Sequence, residues 1–205
     1  MEIYHVFTRS IAKFTIFLNH NDYTRMIELL KYYKNKPISK FSDYKKLKKM
    51  KSYYNPIKSE SPFVEIIAYC LMPTHIHLVL QEIKPSGISE YMRIVLDSYT
   101  RYFNKKIERK GPLWEGRVKK VFVESDEQLL HLTRYVHLNP VSAGIVEKPE
   151  DWVYSSYREY IGMKKGKVCN KEKFFDFSKE EYKKFVEDRI DYQRNLEIIK
   201  HIILE

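Results

Sequence analysis

The sequence predicts an α+β domain, in which a few strands are mixed irregularly with helices. Its 205 residues are enough for one ordinary domain with an appendage and leave little room for two independent cores. Runs of β-branched and aromatic residues lie between segments of helical spacing, without the regular strand–helix–strand order that builds a parallel sheet. No internal repeat is visible along the chain.

The amino-terminal part predicts a strand followed by a helix. Residues 2–8 alternate and are rich in β-forming types, which is typical of a strand. Residues 19–22 supply the amides and the carboxylate that suit a helix start. The lysine-rich segment that follows is interrupted by Pro37 and Pro56, so we predict a loop with a helical excursion around residues 42–51.

The middle of the chain predicts a β-hairpin and a long helix. Residues 63–71 form an apolar run typical of a buried strand, and residues 75–81 form a second strand after a short turn. A helix with a regular apolar stripe is predicted over residues 89–109.

One more strand and two capped helices complete the prediction. Residues 118–124 form the strand, and the Ser-x-x-Gln capping box at 125–128 opens a helix. We expect that helix to end near Leu138, because Pro140 disfavours helical geometry in the residue before it. A Ser-x-x-Glu box at 178–181 begins a carboxy-terminal helix, whose apolar stripe we expect to dock on the core.

The positive charge of the chain is concentrated in one segment. The net charge is +10, and the stretch from Lys31 to Lys58 holds ten lysines against the single Asp43, interleaved with aromatic residues. This pattern suits a polyanion on whose bases the aromatic rings stack. A solvated lysine-rich loop in a protein of biased composition explains it equally well. The candidate nucleic-acid contacts in this segment are Lys45, Lys46, Lys48 and Lys49.

Several classes of protein are disfavoured. No apolar run approaches the roughly 20 residues of a membrane-spanning helix, and the first residues lack the features of a signal peptide. Cys70 and Cys169 lie far apart and match no metal or redox spacing, which disfavours a disulfide scaffold and a zinc module. We therefore expect a cytoplasmic chain without a membrane partner.

Two histidines form the first candidate for chemistry. Residues i and i+2 of a strand point to the same face, so His75 and His77 would project side by side as half of a metal site. A surface or core pair without a metal is the more common outcome for this pattern.

The helix after Ser125 carries the second candidate. His131, Tyr135 and Asn139 are spaced four apart and share one face. They could equally form the solvated face of that helix, and Asn139 could be a capping residue before Pro140.

These residues carry a resemblance to a known family. A His-hydrophobic-His strand followed by a helical tyrosine with an amide four residues later resembles the HUH single-tyrosine transposases, and in particular the REP-associated tyrosine transposases. The resemblance runs from Tyr4 to about Tyr160, and its further motifs are Met72-Pro73-Thr74, Tyr102-Phe103-Asn104, the run from Gly111 to Arg117, the run from Arg134 to Val146, and Trp152 through Tyr157. The segment 31–62 is longer and more basic than this family predicts, and Thr8-Arg9-Ser10-Ile11 matches its usual glycine-containing stretch only loosely.

The resemblance implies a fold, a reaction and a set of functional residues. The fold would be a ferredoxin-like antiparallel sheet covered by helices, with a transposase domain at 1–160, a basic insertion at about 31–62 and a helical extension at 161–205. Tyr135 would attack single-stranded DNA at hairpin-forming sequences and leave a 5′-phosphotyrosine. His75, His77 and Asn139 would hold Mg²⁺ or Mn²⁺. The chain would act as a monomer or a homodimer.

Further cations are candidate DNA contacts, namely Arg93, Arg101, Arg117, Lys119 and Lys120. A solvated strand face and surface salt bridges explain them as well. Trp114 is expected to pack on the sheet, and His137 is expected to be structural because it points away from Tyr135. A non-catalytic hairpin-binding regulator and a metal-dependent nuclease that uses water remain alternatives.

Overall fold

A four-stranded antiparallel sheet forms the centre of the protein, which was analysed as a computed structural model describing residues 2–35, 39–49, 62–164 and 168–192. In spatial order the strands are β2, β3, β1 and β4. Their bounds are Ile3–Arg9 for β1, Val64–Met72 for β2, His75–Glu82 for β3 and Lys119–Phe122 for β4. All neighbouring strands pair antiparallel, so the α+β prediction and its antiparallel sheet are confirmed.

Helices cover both faces of this sheet. Within the described residues they are α1 (His20–Tyr33), α2 (Phe41–Lys49), α3 (Gly87–Lys106), α4 (Asp126–Ser142), α5 (Tyr157–Tyr160) and α6 (Lys179–Glu187). α4 packs across β2 and β3, and α1 packs against α3. None of the described helices has the length and apolar character needed to cross a bilayer.

The register of the two central strands sets which side chains share a face. Phe7 of β1 lies opposite His77 of β3, and Arg9 lies opposite His75. Since side chains alternate along a strand, these residues project from one face while Val6 and Leu78 project from the other. Val6 and Leu78 are completely buried, so one face forms the apolar core and the other carries the polar groups.

Helix α1 begins as the sequence predicts and is tied to α3 by an ionic network. The Asn19 side chain accepts hydrogen bonds from the backbone N–H groups of Asn21 and Asp22. The fully buried Asp22 carboxylate accepts from Lys106 Nζ at 2.6 and 2.8 Å and from the Tyr102 hydroxyl at 2.7 Å. The start of α1 is therefore joined to the last two turns of α3.

The predicted end of helix α4 at Leu138 is wrong, because the helix continues through Pro140 to Ser142. A proline in the last turn loses a single intrahelical hydrogen bond, and the turn is closed by Ala143 N–H donating to the Asn139 carbonyl at 3.0 Å. Asn139 is consequently an internal helical residue and not the cap, which is Ala143.

The amino-terminal cap of α4 differs from the prediction in one detail. Ser125 accepts from the Gln128 N–H as predicted, but the Gln128 side chain accepts from Glu124 N–H instead of Ser125 N–H. The capping interaction thus extends one residue further back along the chain.

Helix α6 forms behind the predicted capping box, in which Ser178 and Glu181 satisfy each other's backbone N–H groups. Its buried Tyr182 hydroxyl lies 2.7 Å from His137 Nδ1 and donates to Thr133 Oγ1 at 2.9 Å. His137 Nε2 lies 2.7 Å from Ser156 Oγ. The expectation that this helix docks on the core, with His137 in a structural position, is confirmed.

The lysine-rich segment is partly helical, as predicted around residues 42–51. α2 packs its Phe41 and Tyr44 rings on Tyr32 of α1, with ring centroids 5.2 and 4.7 Å apart. Lys45 Nζ lies 2.6 Å from Glu28 Oε1. The rest of this segment, at 36–38 and 50–61, lies outside the described residues.

Candidate active site

The two histidines of β3 occupy one polar face of the sheet, as their i, i+2 spacing predicts. Their rings are 5.1 Å apart and almost perpendicular. His77 is buried and His75 half-buried. Each Nδ1 atom has a protein partner: His75 Nδ1 lies 3.0 Å from the Thr74 hydroxyl, and His77 Nδ1 lies 3.0 Å from His5 Nε2. This arrangement leaves Nε2 of His77 for another ligand, while the His75 side chain also bonds Asn139.

Helix α4 brings Tyr135 and Asn139 to the same place. The Tyr135 ring stands edge-on to His77 and His5, with centroid distances of 5.7 and 6.0 Å. Asn139 lies one helical turn further on and is a hydrogen-bond partner of the His75 side chain. The histidine pair of β3 and the Tyr135–Asn139 pair of α4 are 58 to 64 positions apart along the chain, and they therefore meet at one site.

His131 does not join this site, although its spacing places it on the stripe of Tyr135. Its ring packs on Phe185 of α6 at 5.6 Å, and its Nδ1 lies 2.7 Å from the Arg134 guanidinium. His131 lies one turn closer to the start of α4 than Tyr135, and at that position its neighbour is α6.

His5 is a site residue to which the sequence reasoning assigned no role. It lies on β1, and its ring centroid is 4.9 Å from that of Phe7. The Tyr135 ring stands edge-on to it. The alternation of residues 2–8 places His5 and Phe7 on one face, but only the pairing of β1 with β3 brings that face beside His77.

A cavity of about 520 Å³ opens between the sheet and α4. Arg9 and Lys13 contribute positive charge to its wall beside the histidines. Its other lining residues are His5, Phe7, Thr8, Thr74, His75, Ile76, His77, Tyr135, Asn139, Ser142 and Ala143. The cavity therefore joins the tyrosine, the imidazoles and two cations in one space large enough for part of a nucleotide.

The surroundings keep the histidines neutral. Burial lowers the pKa of His77 to about 3, assisted by the neighbouring His75, His5 and Arg9. Burial also lowers the pKa of His5 to about 4. The pKa of His75 is lowered by burial, although the hydrogen bond with Asn139 opposes that shift. These rings are consequently neutral at neutral pH. One nitrogen of each ring is then unprotonated and has the lone pair that binding a metal requires.

The donor set fits a divalent cation. His75 and His77 offer two imidazole nitrogens and Asn139 a carboxamide oxygen beside them, a mixed nitrogen and oxygen set that suits a divalent cation. Among the described residues no three His, Cys, Asp or Glu side chains are grouped to hold a metal. The candidate centre therefore depends on Asn139 as its third protein ligand.

Three of the predicted DNA-binding cations surround a second groove. The groove has a volume of about 410 Å³ and is lined by Arg93 of α3, Arg117 and Lys120. Its wall also contains Met92 and Trp114. None of the three cations pairs with a carboxylate in the part of the chain that the structure describes. The Arg93 and Arg117 side chains are exposed, and Lys120 Nζ lies 4.6 Å from the centroid of the Tyr4 ring.

The remaining predicted cations are distributed differently. Lys119 lies opposite Phe7 in the sheet and so shares the face of the active site, while Arg101 is exposed on α3 outside the groove. Lys45 is paired with Glu28, and Lys46 is exposed. The side chains of Lys48 and Lys49 lie outside the described residues.

Trp114 is anchored as expected of a packing residue. Its Nε1 donates to Thr100 Oγ1 at 3.0 Å, and its ring lies 6.2 Å from Tyr99. Its half-buried ring faces the groove as part of a fixed wall.

Known proteins are similar to this chain in sequence. Residues 3–139 match the family described as transposase IS200 like. A putative REP-associated tyrosine transposase of Haemophilus influenzae is 31% identical over 135 residues, which is 60% of this chain and 74% of that protein. The REP-associated tyrosine transposase of Escherichia coli is 25% identical over 108 residues, covering 51% of this chain and 61% of that protein.

A solved structure shares the fold. It is a REP-associated tyrosine transposase bound to a REP hairpin, it is 17% identical, and it superposes with a TM-score of 0.54 over 86% of this chain and 89% of its own. The family match spans both histidines of β3, Tyr135 and Asn139, so this chain belongs to the IS200-like transposase family.

Proposed function

We propose that this transposase cleaves and rejoins single-stranded DNA at hairpin-forming sequences, with Tyr135 as the nucleophile. The observation that carries the proposal is the position of the Tyr135 ring, 5.7 Å from His77 in the cavity that also holds His75 and Asn139. Tyr135 is 39% exposed, so it can be reached from solvent.

The reaction would transfer a phosphodiester from DNA to the enzyme. The Tyr135 oxygen forms a bond to phosphorus, the bond to the 3′-oxygen breaks, and the phenolic proton is lost while the leaving oxygen gains one. The products are a 5′-phosphotyrosine and a free 3′-hydroxyl. Because the phosphotyrosine conserves the bond, a 3′-hydroxyl of another strand can reverse the step and join DNA.

His75, His77 and Asn139 would hold a divalent cation, Mg²⁺ or Mn²⁺. When bound, such an ion withdraws charge from the non-bridging phosphate oxygens and orients the group for attack. The protein contributes the rest: Thr74 and His5 fix the two imidazoles through Nδ1. Arg9 and Lys13 in the cavity wall would attract the DNA backbone.

The DNA hairpin would contact the cations at the β4 edge. Lys119 lies on the active-site face, whereas Lys120, which is paired with Val6, lies on the opposite face and lines the groove with Arg93 and Arg117. Arg101 and the lysines of α2, including Lys45, Lys46, Lys48 and Lys49, would extend this basic surface. The related protein bound to a REP hairpin supports hairpin DNA as the substrate class.

Assembly, location and domain limits are further parts of the proposal. One tyrosine per chain cleaves one strand end at a time, so moving a segment takes two chains or two cycles of a monomer. Two buried, unpaired cysteines suit the reducing cytoplasm. The family match within residues 3–139 supports a transposase domain at 1–160 followed by an extension at 161–205.

A covalent-adduct assay tests this function. The protein is incubated with a library of single-stranded hairpins and Mn²⁺, denatured, and the DNA attached to protein is sequenced. We expect an adduct whose 5′ end maps to one position of the hairpin flank. Tight hairpin binding without any adduct would favour a non-catalytic regulator, and cleavage without an adduct would favour a nuclease that uses water.

A further inference from the structure

The His77 ring is hydrogen-bonded to another histidine. His5 Nε2 lies 3.0 Å from His77 Nδ1, and the two rings are 5.2 Å apart and inclined by only 19°. Phe7 packs on both rings, at 4.9 Å from His5 and 6.0 Å from His77. The edge of Tyr135 lies above them. This contact is therefore held by packing on several sides.

A hydrogen bond between two neutral imidazoles has a direction. One nitrogen of each ring carries a proton and the other a lone pair. If His5 donates, His77 is protonated on Nε2 and has no lone pair there for a cation. If His77 donates from Nδ1, its Nε2 lone pair is free. His75 has the same choice with Thr74, whose hydroxyl accepts as readily as it donates.

We infer that His5 is a positioning residue, which accepts a hydrogen bond from His77 Nδ1–H and so holds the His77 tautomer whose Nε2 can bind the cation. His5 is not itself a ligand in this arrangement, because its Nε2 is used by His77. The inference rests on the proposed metal site. It adds the group that orients and selects the tautomer of one ligand, a role that partners of metal-binding histidines commonly have.

Two substitutions separate this role from a structural one. His5→Phe keeps a planar ring of similar size and removes the acceptor. His5→Gln restores an acceptor, because the glutamine oxygen can reach the position of the histidine Nε2. His20→Phe is the matched control, since His20 lies on α1 and contacts Tyr154 and Thr24 outside the active-site cavity.

The first measurement is the tautomer of His77 in the metal-free protein, read from the ¹⁵N shifts of its ring. We expect Nδ1–H in the wild type, in His5→Gln and in His20→Phe, and a shift towards Nε2–H in His5→Phe. A wild-type His77 protonated on Nε2, or a His5→Phe protein with unchanged ¹⁵N shifts, would overturn the inference. If His5→Phe does not fold, the wild type and His5→Gln decide the question.

The second measurement is Mn²⁺ affinity, from the signal of the free ion during titration. We expect His5→Phe to bind Mn²⁺ about 10- to 100-fold more weakly and the other two variants to bind like the wild type. Equal affinity in all four proteins contradicts a positioning role. A wild type that binds no Mn²⁺ would instead refute the proposed metal site, a separate failure because the tautomer is measured without metal.

Discussion

The ring of Tyr135 stands at 86° to the ring of His77, with their centroids 5.7 Å apart. This edge-on contact joins the second strand of a hairpin to a helix that begins 49 residues after His77. As the proposed nucleophile and metal ligand, Tyr135 and His77 would both have to reach one phosphate, and this contact places their rings side by side.

Tyr135→Phe should abolish the covalent adduct while leaving hairpin affinity close to wild type. The ring and its contacts with His5 and His77 remain, and only the oxygen that attacks phosphorus is lost. Denaturing gels with labelled hairpin measure the adduct, and gel shift measures binding. An adduct that persists in this variant would place the nucleophile on another residue.

His77→Ala should reduce cleavage by about 10²-fold or more and weaken its dependence on Mn²⁺, because one imidazole ligand and its charge stabilisation are lost. His131→Ala is the control, since His131 packs on Phe185 and lies outside the cavity. Initial cleavage rates are compared across a Mn²⁺ titration and in chelator. Wild-type rates for His77→Ala in chelator would refute the metal role.

The salt dependence of hairpin binding should identify which basic surface contacts phosphate. Arg93, Arg117 and Lys120 have no carboxylate partner among the described residues, so replacing all three by Gln should lower the slope of log K against log salt by about two to three. Replacing Lys46, Lys48 and Lys49 by Gln tests the lysine-rich segment in the same way. An unchanged slope would show that the substituted side chains do not contact phosphate.

Asp22→Asn should destabilise the fold by about 3 kcal/mol, because it leaves Lys106 without the charge of its buried partner. Asp176→Asn, at an exposed position, should change stability little. Urea unfolding measures both variants.

The same substitution should change the response to acid. Burial alone would raise the pKa of Asp22, but the hydrogen bonds from Lys106, Tyr102 and the Leu18 N–H outweigh it and lower the pKa below 3.8. The pKa of Asp22 is thus lower in the folded than in the unfolded protein. The ionised carboxylate therefore stabilises the fold above about pH 3.8, and this stabilisation disappears as the pH falls further. The difference in unfolding free energy between the wild type and Asp22→Asn should therefore become smaller below about pH 3.8. A constant gap would contradict the ionic role.

Tyr182→Phe should destabilise the protein by about 1–3 kcal/mol, since the buried His137 Nδ1 loses its partner and Thr133 Oγ1 loses the hydrogen bond that it accepts from Tyr182. Because Tyr182 joins α6 to α4, amide exchange of α6 should also become faster. Tyr192→Phe is the control, at a tyrosine that is 54% exposed. Equal unfolding free energies for the two variants would show that the buried network does not stabilise the α4–α6 contact.

Local features of the sequence were sufficient where local geometry decides the outcome. Alternation in β3 places His75 and His77 on one face, and a four-residue step along α4 places Asn139 beside Tyr135. Asn19 and Ser178 cap their helices because the hydrogen-bonding groups lie within three residues of each other. The charge of the lysine-rich segment is also a property of the chain alone.

Tertiary packing decided the rest. Pro140 could remain in α4 because the helix is packed on β2 and β3, which outweighs the loss of one backbone hydrogen bond. His5 became part of the site because β1 pairs with β3, and Lys45 is an ion-pair partner because α2 lies on α1. Strand and helix periods determine the direction of neighbouring side chains, whereas the meeting of distant residues depends on burying apolar surface between whole elements. The chain alone thus determined the two pairs of candidate site residues, and the packing of α4 over the polar face of the sheet decided that they lie together.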